Sequence, residues 1–367
     1  MPATDGTGTP LRIANLAVPA VALIALAASW SAKPPIAVLV LLGVLLAAAV
    51  LVAVHHAEVV AHRLGEPYGS LLLAVAVTVI EVGLILMLTI GGAGGTLARD
   101  TVFAAVMITC NGIAGLVLLL GALRRRVAVF NRAGTAAALT TVLALATLCL
   151  VLPTFTSSAE GPAFSPAQLG FAAVASLLLY LLFVFVQSVR HRDYFLPAEE
   201  AAQAVEGHDA HAGLPSNRDT VVSLVLLVAS LVAVVGLAKV ESPAIEGAVR
   251  AAGLPESFVG VIIAALVLLP ETIAAARNAR RDRVQIGLNL ALGSAMASIG
   301  LTVPAVALAS IWLPGQLLLG LGSLQIVLLM LTAVVGVLTV IPGRATVLQG
   351  SVQLAVCAAF LYFAAVP

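Results

Sequence analysis

Long apolar stretches alternate with short polar joints along almost the whole chain. Eleven stretches are long enough to cross about 30 Å of hydrocarbon as helix. They cover residues 12–31, 35–54, 69–92, 101–121, 134–153, 167–189, 219–239, 257–276, 284–310, 315–341 and 345–366. None alternates strictly between apolar and polar, as a membrane barrel strand would. The pattern predicts an all-α polytopic membrane protein of about 11 transmembrane helices. Two joints stand out. HHAEVVAHRLGEPYG, residues 55–69, is too polar to span and reads as an interfacial helix leading into the third span. Residues 190–218 form the long joint and carry Asp193, Glu199, Glu200, Glu206 and Asp209 with His191, His208 and His211.

Composition agrees with the pattern. The 367 residues are 61% hydrophobic and 10% charged, where soluble domains carry about 25% charged residues. The basic residues are scattered among joints, so no nucleic-acid surface is expected. Cys110, Cys149 and Cys357 all fall within apolar stretches, which argues against a disulfide framework or a zinc site. MPATDGTGTPLR has no small-residue cleavage site before a full-length span, so it does not read as a cleavable signal.

Charge orients the spans. With the N-terminus in the cytoplasm, Arg12, Arg63, Arg124, Arg125, Arg126, Arg132, Arg190, Arg192, Arg218, Arg277, Arg280, Arg281, Arg283 and Arg344 face inside. Lys33, Arg99, Lys239 and Arg250 face outside. The positive-inside rule then places the N-terminus in the cytoplasm and the C-terminus on the outer side of the membrane. The long joint divides the chain into an extra N-terminal helix (1–34), a first five-helix repeat (35–189), an acidic cytoplasmic loop (190–218) and a second five-helix repeat (219–367). Five spans is an odd number, so the two repeats insert in opposite directions. Inverted repeats of this kind place a transport site where they meet.

Of the 17 acidic residues, Glu81 and Glu271 are read as lying deep inside apolar stretches, each in the second span of its half. A charged group at that depth costs about 3 kcal/mol on insertion scales and is normally functional. Glu81 lies 12 residues past Gly69, near the midplane, with Thr78 one turn earlier on the same face. The bland reading is a neutral carboxyl bonded to a neighbouring helix. Glu271 follows Pro270 and precedes Thr272. Proline in a helix frees the carbonyl four residues back, here Leu266. A freed carbonyl beside a carboxylate suits hard cations such as calcium, sodium or potassium. The bland reading is a kinked helix whose glutamate pairs with the Arg277–Arg283 cluster.

Each acidic span is followed by one with buried polar groups. Asn111 lies in the fourth span, and Asn289, Ser294 and Ser298 lie in the ninth. Small hydroxyl residues also serve ordinary helix packing, whereas an amide in lipid needs partners. Glu66 before Pro67 is either a helix-start residue or a cation-recruiting group at the cytoplasmic mouth. His208 and His211 bracket Asp209 at a spacing that is weak evidence for metal on its own. No span is read as holding a histidine, and no Ser-His-Asp set or phosphate-binding glycine loop is found. An enzyme is therefore not expected.

AHRLGEPYGSLLLAVAVTVIEVGLI (61–85) and LVLLPETIAAARNARRDRVQIGLNLALGSAMASIGLTVPAV (266–306) resemble the two alpha repeats of the calcium/cation antiporter superfamily. The likeness, to its bacterial ChaA-type calcium/proton branch, runs from about residue 12 to the C-terminus. It implies ten core helices plus one, and a secondary transporter. In the wider family each repeat carries an acidic residue in a GNxxE-like pattern, and the two carboxylates bind the cation. Glu81 and Glu271 occupy the Glu positions. Thr78 and Leu268 stand where the pattern has Asn, and Val77 and Val267 where it has Gly.

The expected function is export of calcium, with sodium and potassium as further cations, in exchange for protons. Glu81 and Glu271 would be the metal and proton ligands, with Thr78, Thr272, Asn111, Asn289, Ser294 and Ser298 around them. No cofactor is implied beyond the transported ions. The partners are inorganic cations, protons and membrane lipid, and a homo-oligomer stays open. A sodium or potassium antiporter with little calcium activity is the nearest alternative. A cation channel without proton coupling is a further one.

Overall fold

The computed structural model describes residues 9–32, 34–65, 68–91, 94–196, 215–312 and 315–367. The chain is helical almost throughout, as an all-α polytopic membrane protein must be, because lipid offers no partner to an unpaired backbone group. The helices are α1 (Thr9–Ser29), α2 (Ile36–Leu64) and α3 (Tyr68–Gly91), then α4 (Leu97–Arg125), α5 (Arg132–Phe155) and α6 (Pro166–Arg190). They continue as α7 (Asn217–Ala251), α8 (Phe258–Val267) and α9 (Leu269–Arg280). The last are α10 (Val284–Ala309), α11 (Ser323–Val340) and α12 (Val347–Ala365). Among the described residues nine helices are long and apolar enough to cross a membrane. The bent pair α8–α9 makes ten if it counts as one span.

The structure departs from the sequence reading in three places. The polar segment after residue 54 is no separate interfacial helix. α2 continues unbroken to Leu64, with His56, Ala57 and Val60 buried and Glu58 exposed. No glycine or proline interrupts HHAEVVAHRL, and the helix ends at Gly65, whose φ of 69° a side chain would resist. A spanning helix thus does contain histidines. α7 likewise runs past the predicted end at 239 to Ala251, with Pro243 inside it. By contrast, residues 316–322 are extended and not helical. Their backbone amides bond to loops and to a helix: Leu318 to Gly95 O at 3.2 Å, Gly320 to Pro162 O at 2.9 Å and Leu321 to Leu150 O of α5 at 2.8 Å. Glu66, Glu199, Glu200, Glu206, His208, Asp209 and His211 lie outside the described residues.

The helices gather into two compact units, one holding residues 1–91 and 214–248, the other 92–213 and 249–367. Each unit draws helices from both halves of the chain. In the first, α1, α2 and α3 pack with α7. Gly236 of α7 sits against Leu26, and Gly83 of α3 against Val235, with no room for a Cβ at either. Such small-residue contacts are how helices approach in lipid. Arg63 Nη2 donates to Asn217 Oδ1 at 2.7 Å, so the end of α2 meets the start of α7. His56 Nε2 lies 3.0 Å from Asn15 O and ties α2 to α1.

The second unit is the larger. Gly115 of α4 and Gly350 of α12 meet face to face, each Cβ position about 3 Å from the other's carbonyl. Gly260 of α8 lies against the backbone of Asp100. Two short strands, β1 (Ala128–Val129) and β2 (Arg344–Ala345), pair antiparallel and join the loops after α4 and α11. Arg124 and Arg125 reach Asp282 at 3.4 and 3.0 Å. The arginine-rich loops of this unit therefore converge on one end.

Candidate functional site

In the first unit the acidic group is carried by an unbroken helix. α3 contains no proline, and every backbone amide in its middle is free to follow the helical ladder. Glu81 is 3% exposed and Thr78 is 8% exposed. Three residues apart on one helix, they share a face.

In the second unit the acidic group follows a break. α8 and α9 meet at Leu268 with a bend of 53°. Pro270 has no N–H to give to Leu266, so the helix restarts one residue before it. The Leu268 carbonyl accepts from Thr272 N at 2.9 Å and from Thr272 Oγ1 at 2.7 Å. The Thr272 hydroxyl therefore closes the new helix, while its oxygen keeps a lone pair. Glu271 lies in the first turn of α9 and is half-buried.

The neighbours of Glu271 follow from two close approaches. Gly287 of α10 sits between Val117 of α4 and the carbonyl of Ala275 of α9. α10 runs antiparallel to both, since the arginine-rich loops join them at one end. The register then puts Glu271 level with Ala291 and Asn111 level with Gly293, next to Ser294 and within about one helical turn of each other. Ser298 is one turn further along α10 and is 5% exposed.

Two expected ligands have amide groups that bond to other elements. Asn111 lies in a π-helical turn, Ile108–Ile113, an element frequent at functional sites. Its Nδ2 donates to Thr332 Oγ1 at 2.9 Å, which binds α4 to α11. Asn289 uses both ends of its amide. It donates to Phe195 O at 2.6 Å and accepts from Gln285 Nε2 at 2.8 Å. That places Asn289 in a tether between α10 and the turn Arg192–Phe195. Ser294 is half-buried.

The sequence reading missed two buried carboxylates. Asp100 is 4% exposed and is bonded by its neighbour Arg99, with Nη2 at 2.7 Å and Nε at 2.8 Å. Arg99 also donates to Gly320 O at 3.3 Å, so the pair anchors the extended segment 316–322. Glu241 of α7 is 5% exposed. Its surroundings, KVESPAIEG, read as a polar joint because Lys239, Pro243 and Glu246 flank it. Among the described residues no cluster of three or more His, Cys, Asp or Glu could hold a metal.

The family model described as sodium/calcium exchanger protein matches residues 34–189 and 222–366. This chain belongs to that family of membrane exchangers. It is a transporter of the calcium/cation antiporter superfamily and is similar to ChaA-type members. A chain of Sinorhizobium fredii named as an ionic transporter, y4hA, is 46% identical over 325 residues, 88% of this chain and 87% of that one. The sodium-potassium/proton antiporter ChaA of Escherichia coli is 32% identical over 364 residues, 98% of each chain. The crystal structure of an H+/Ca2+ exchanger, CAX, matches with a TM-score of 0.66 at 18% identity, over 97% of this chain and 93% of that one. At that identity the likeness speaks for the fold.

Proposed function

We propose that this chain is a secondary-active cation/proton antiporter of the bacterial inner membrane, in which Glu81 and Glu271 exchange protons for the transported cation. The observation that carries the reading is the placement of these two glutamates. Each sits in a membrane-length apolar element of an exchanger-family chain, Glu81 enclosed in α3 and Glu271 at the bend of α8–α9. A negative charge in a low-dielectric interior is unfavourable, so each glutamate takes up a proton or a metal cation in turn. Cation and proton compete for the same oxygens, and that competition couples their movements. Thr78 supplies a neutral oxygen beside Glu81. The loosened backbone at Leu266, Thr272 and Ser294 supply the same beside Glu271, with Ser298 about 10 Å further along α10. Oxygen ligands of this kind suit calcium, sodium and potassium.

For calcium, two carboxylates release two protons, and inward protons drive export. A second reading, sodium and potassium as the main cargo, is favoured by the E. coli relative, whose name carries those two ions. Thr78 and Leu268 fit it too, since a hydroxyl and an apolar side chain offer fewer strong dipoles than two amides. The N-terminus inside and the C-terminus outside follow from the arginine distribution.

The test is proton flux in everted vesicles as calcium, sodium and potassium are added in turn. A cation-dependent proton flux that disappears in Glu81→Gln and Glu271→Gln is expected. Cation movement with no accompanying proton flux would replace the antiporter by a channel or uniporter.

A further inference from the structure

The first unit holds a second enclosed carboxylate, for which the exchange described above has no use. Glu241 lies on α7, two residues past Lys239, and is 5% exposed. Its Oε1 is fully enclosed with no hydrogen-bond partner among the described residues. Its Oε2 points at α2, where it would stand 3.9 Å from a Cβ at Gly43. The carboxylate therefore lies against α2 at this glycine.

The charged groups nearby do not neutralise it. Lys239 Nζ is turned away, over the Trp30 ring of α1 at 4.1 Å. Glu246, one turn further on α7, accepts from Ser242 Oγ at 2.9 Å and adds charge of the same sign. From α2 the facing residue is Gly43, and no described cation lies within ion-pair distance of Glu241. An enclosed, unpaired carboxylate is costly unless a proton or a metal ion occupies it.

Position in the unit gives it a direction. α2 and α7 are antiparallel, with Arg63 beside Asn217 and Gly43 beside Glu241. α3 starts where α2 ends, so it runs parallel to α7, and Gly83 marks the common level with Val235. Glu241 then stands roughly 12 Å beyond Glu81 toward the Gly91 end of α3. With an interhelical spacing of about 9 Å, the two carboxylates are about 15 Å apart.

We propose that Glu241 is an accessory ion-binding site for the transported metal cation and its competing proton, on the face of the membrane where α3 ends. This rests on the antiport reading given above. Glu241 attracts the cation at that mouth and holds it, or a proton, before and after its stay at Glu81.

The test uses the full chain in proteoliposomes, with sodium, potassium or calcium offered from each face. Glu241→Gln should raise the concentration of sodium or potassium needed for half-maximal flux roughly fivefold from the α3-end face, and that of calcium by more. That is the factor given by attraction over about 15 Å at an effective dielectric constant of about 20. From the other face the change should stay below about twofold, and Glu241→Asp should restore the difference. Affinities equal to the unaltered chain from both faces would overturn the inference. Carbodiimide labelling of the unaltered chain, mapped by mass spectrometry, covers the case in which the glutamine variant does not fold. An adduct on Glu241 that sodium, potassium or calcium suppresses is expected. No adduct, or one insensitive to all three cations, would also overturn it. Glu81→Gln separates this from the reading beneath it. If Glu81→Gln keeps exchange, the antiport reading fails. If it abolishes exchange while Glu241→Gln behaves as the unaltered chain, the accessory site alone fails.

Discussion

α3 and the α8–α9 pair present the same side chain in two different ways. α3 is a continuous helix of 24 residues in which Glu81 is 3% exposed. Its backbone groups are used up in the helical ladder, so only side chains, Glu81 and Thr78, can offer oxygens. The α8–α9 pair bends by 53° immediately before Glu271. There Pro270 cannot give Leu266 O its usual i+4 donor, so the helical ladder is interrupted just before the glutamate. A rigid helix holds its carboxylate on a fixed frame, and a bent one holds it beside a joint. The two carboxylates are chemically alike but are expected to differ in how much their local geometry can change during a cycle.

The largest effect should come from removing either carboxylate. Glu81→Gln and Glu271→Gln should each reduce cation-dependent proton flux to the level of empty vesicles, with normal membrane insertion. Gln keeps the shape but cannot trade a proton for a cation. Near-normal exchange in either variant would break the comparison at its root, since that carboxylate would then be structural.

Next in size is pH. At low pH protons occupy the carboxylate oxygens and exclude the cation. As pH rises the protons leave and the cation competes better, so half-maximal cation concentration should fall from weakly acidic to alkaline conditions. A flat dependence would argue against direct competition.

The bend gives a sharper test. Pro270→Ala restores an N–H able to reach Leu266 O, which favours a straight helix. It should lower the maximal exchange rate by about tenfold to a hundredfold, the range set by small misplacements of reacting groups. An unchanged rate would show that the bend is incidental. The corresponding change on the unbroken side, Thr78→Val, should be the smallest. Loss of one neutral oxygen should weaken apparent cation affinity by about fivefold and leave maximal rate nearly intact. Equal affinity would assign Thr78 to packing.

The spanning helices were legible because a membrane core accepts only long apolar segments, and those are visible residue by residue. The bend at Leu268 was legible from Pro270, since a missing N–H is a local chemical fact. Polar segments were harder. HHAEVVAHRL and KVESPAIEG both read as joints, yet both continue a helix. HHAEVVAHRL has no helix breaker and His56 bonds to Asn15 of α1, while KVESPAIEG stays helical in spite of Pro243. Asn111 and Asn289 show the converse. Their residue type marked them as needing partners, but only packing showed that Thr332, Phe195 and Gln285 take part of that capacity.

By itself the sequence determined that this chain is a helical membrane protein with glutamates in two of its apolar segments, because hydropathy and charge are properties of single residues and their neighbours in the chain. Only the tertiary structure decided which helices form each compact unit, since each unit joins helices from both halves of the chain. It also decided that Glu241 is enclosed beside Gly43. Burial is set by what packs from elsewhere in the chain, and that contact joins residues almost 200 positions apart.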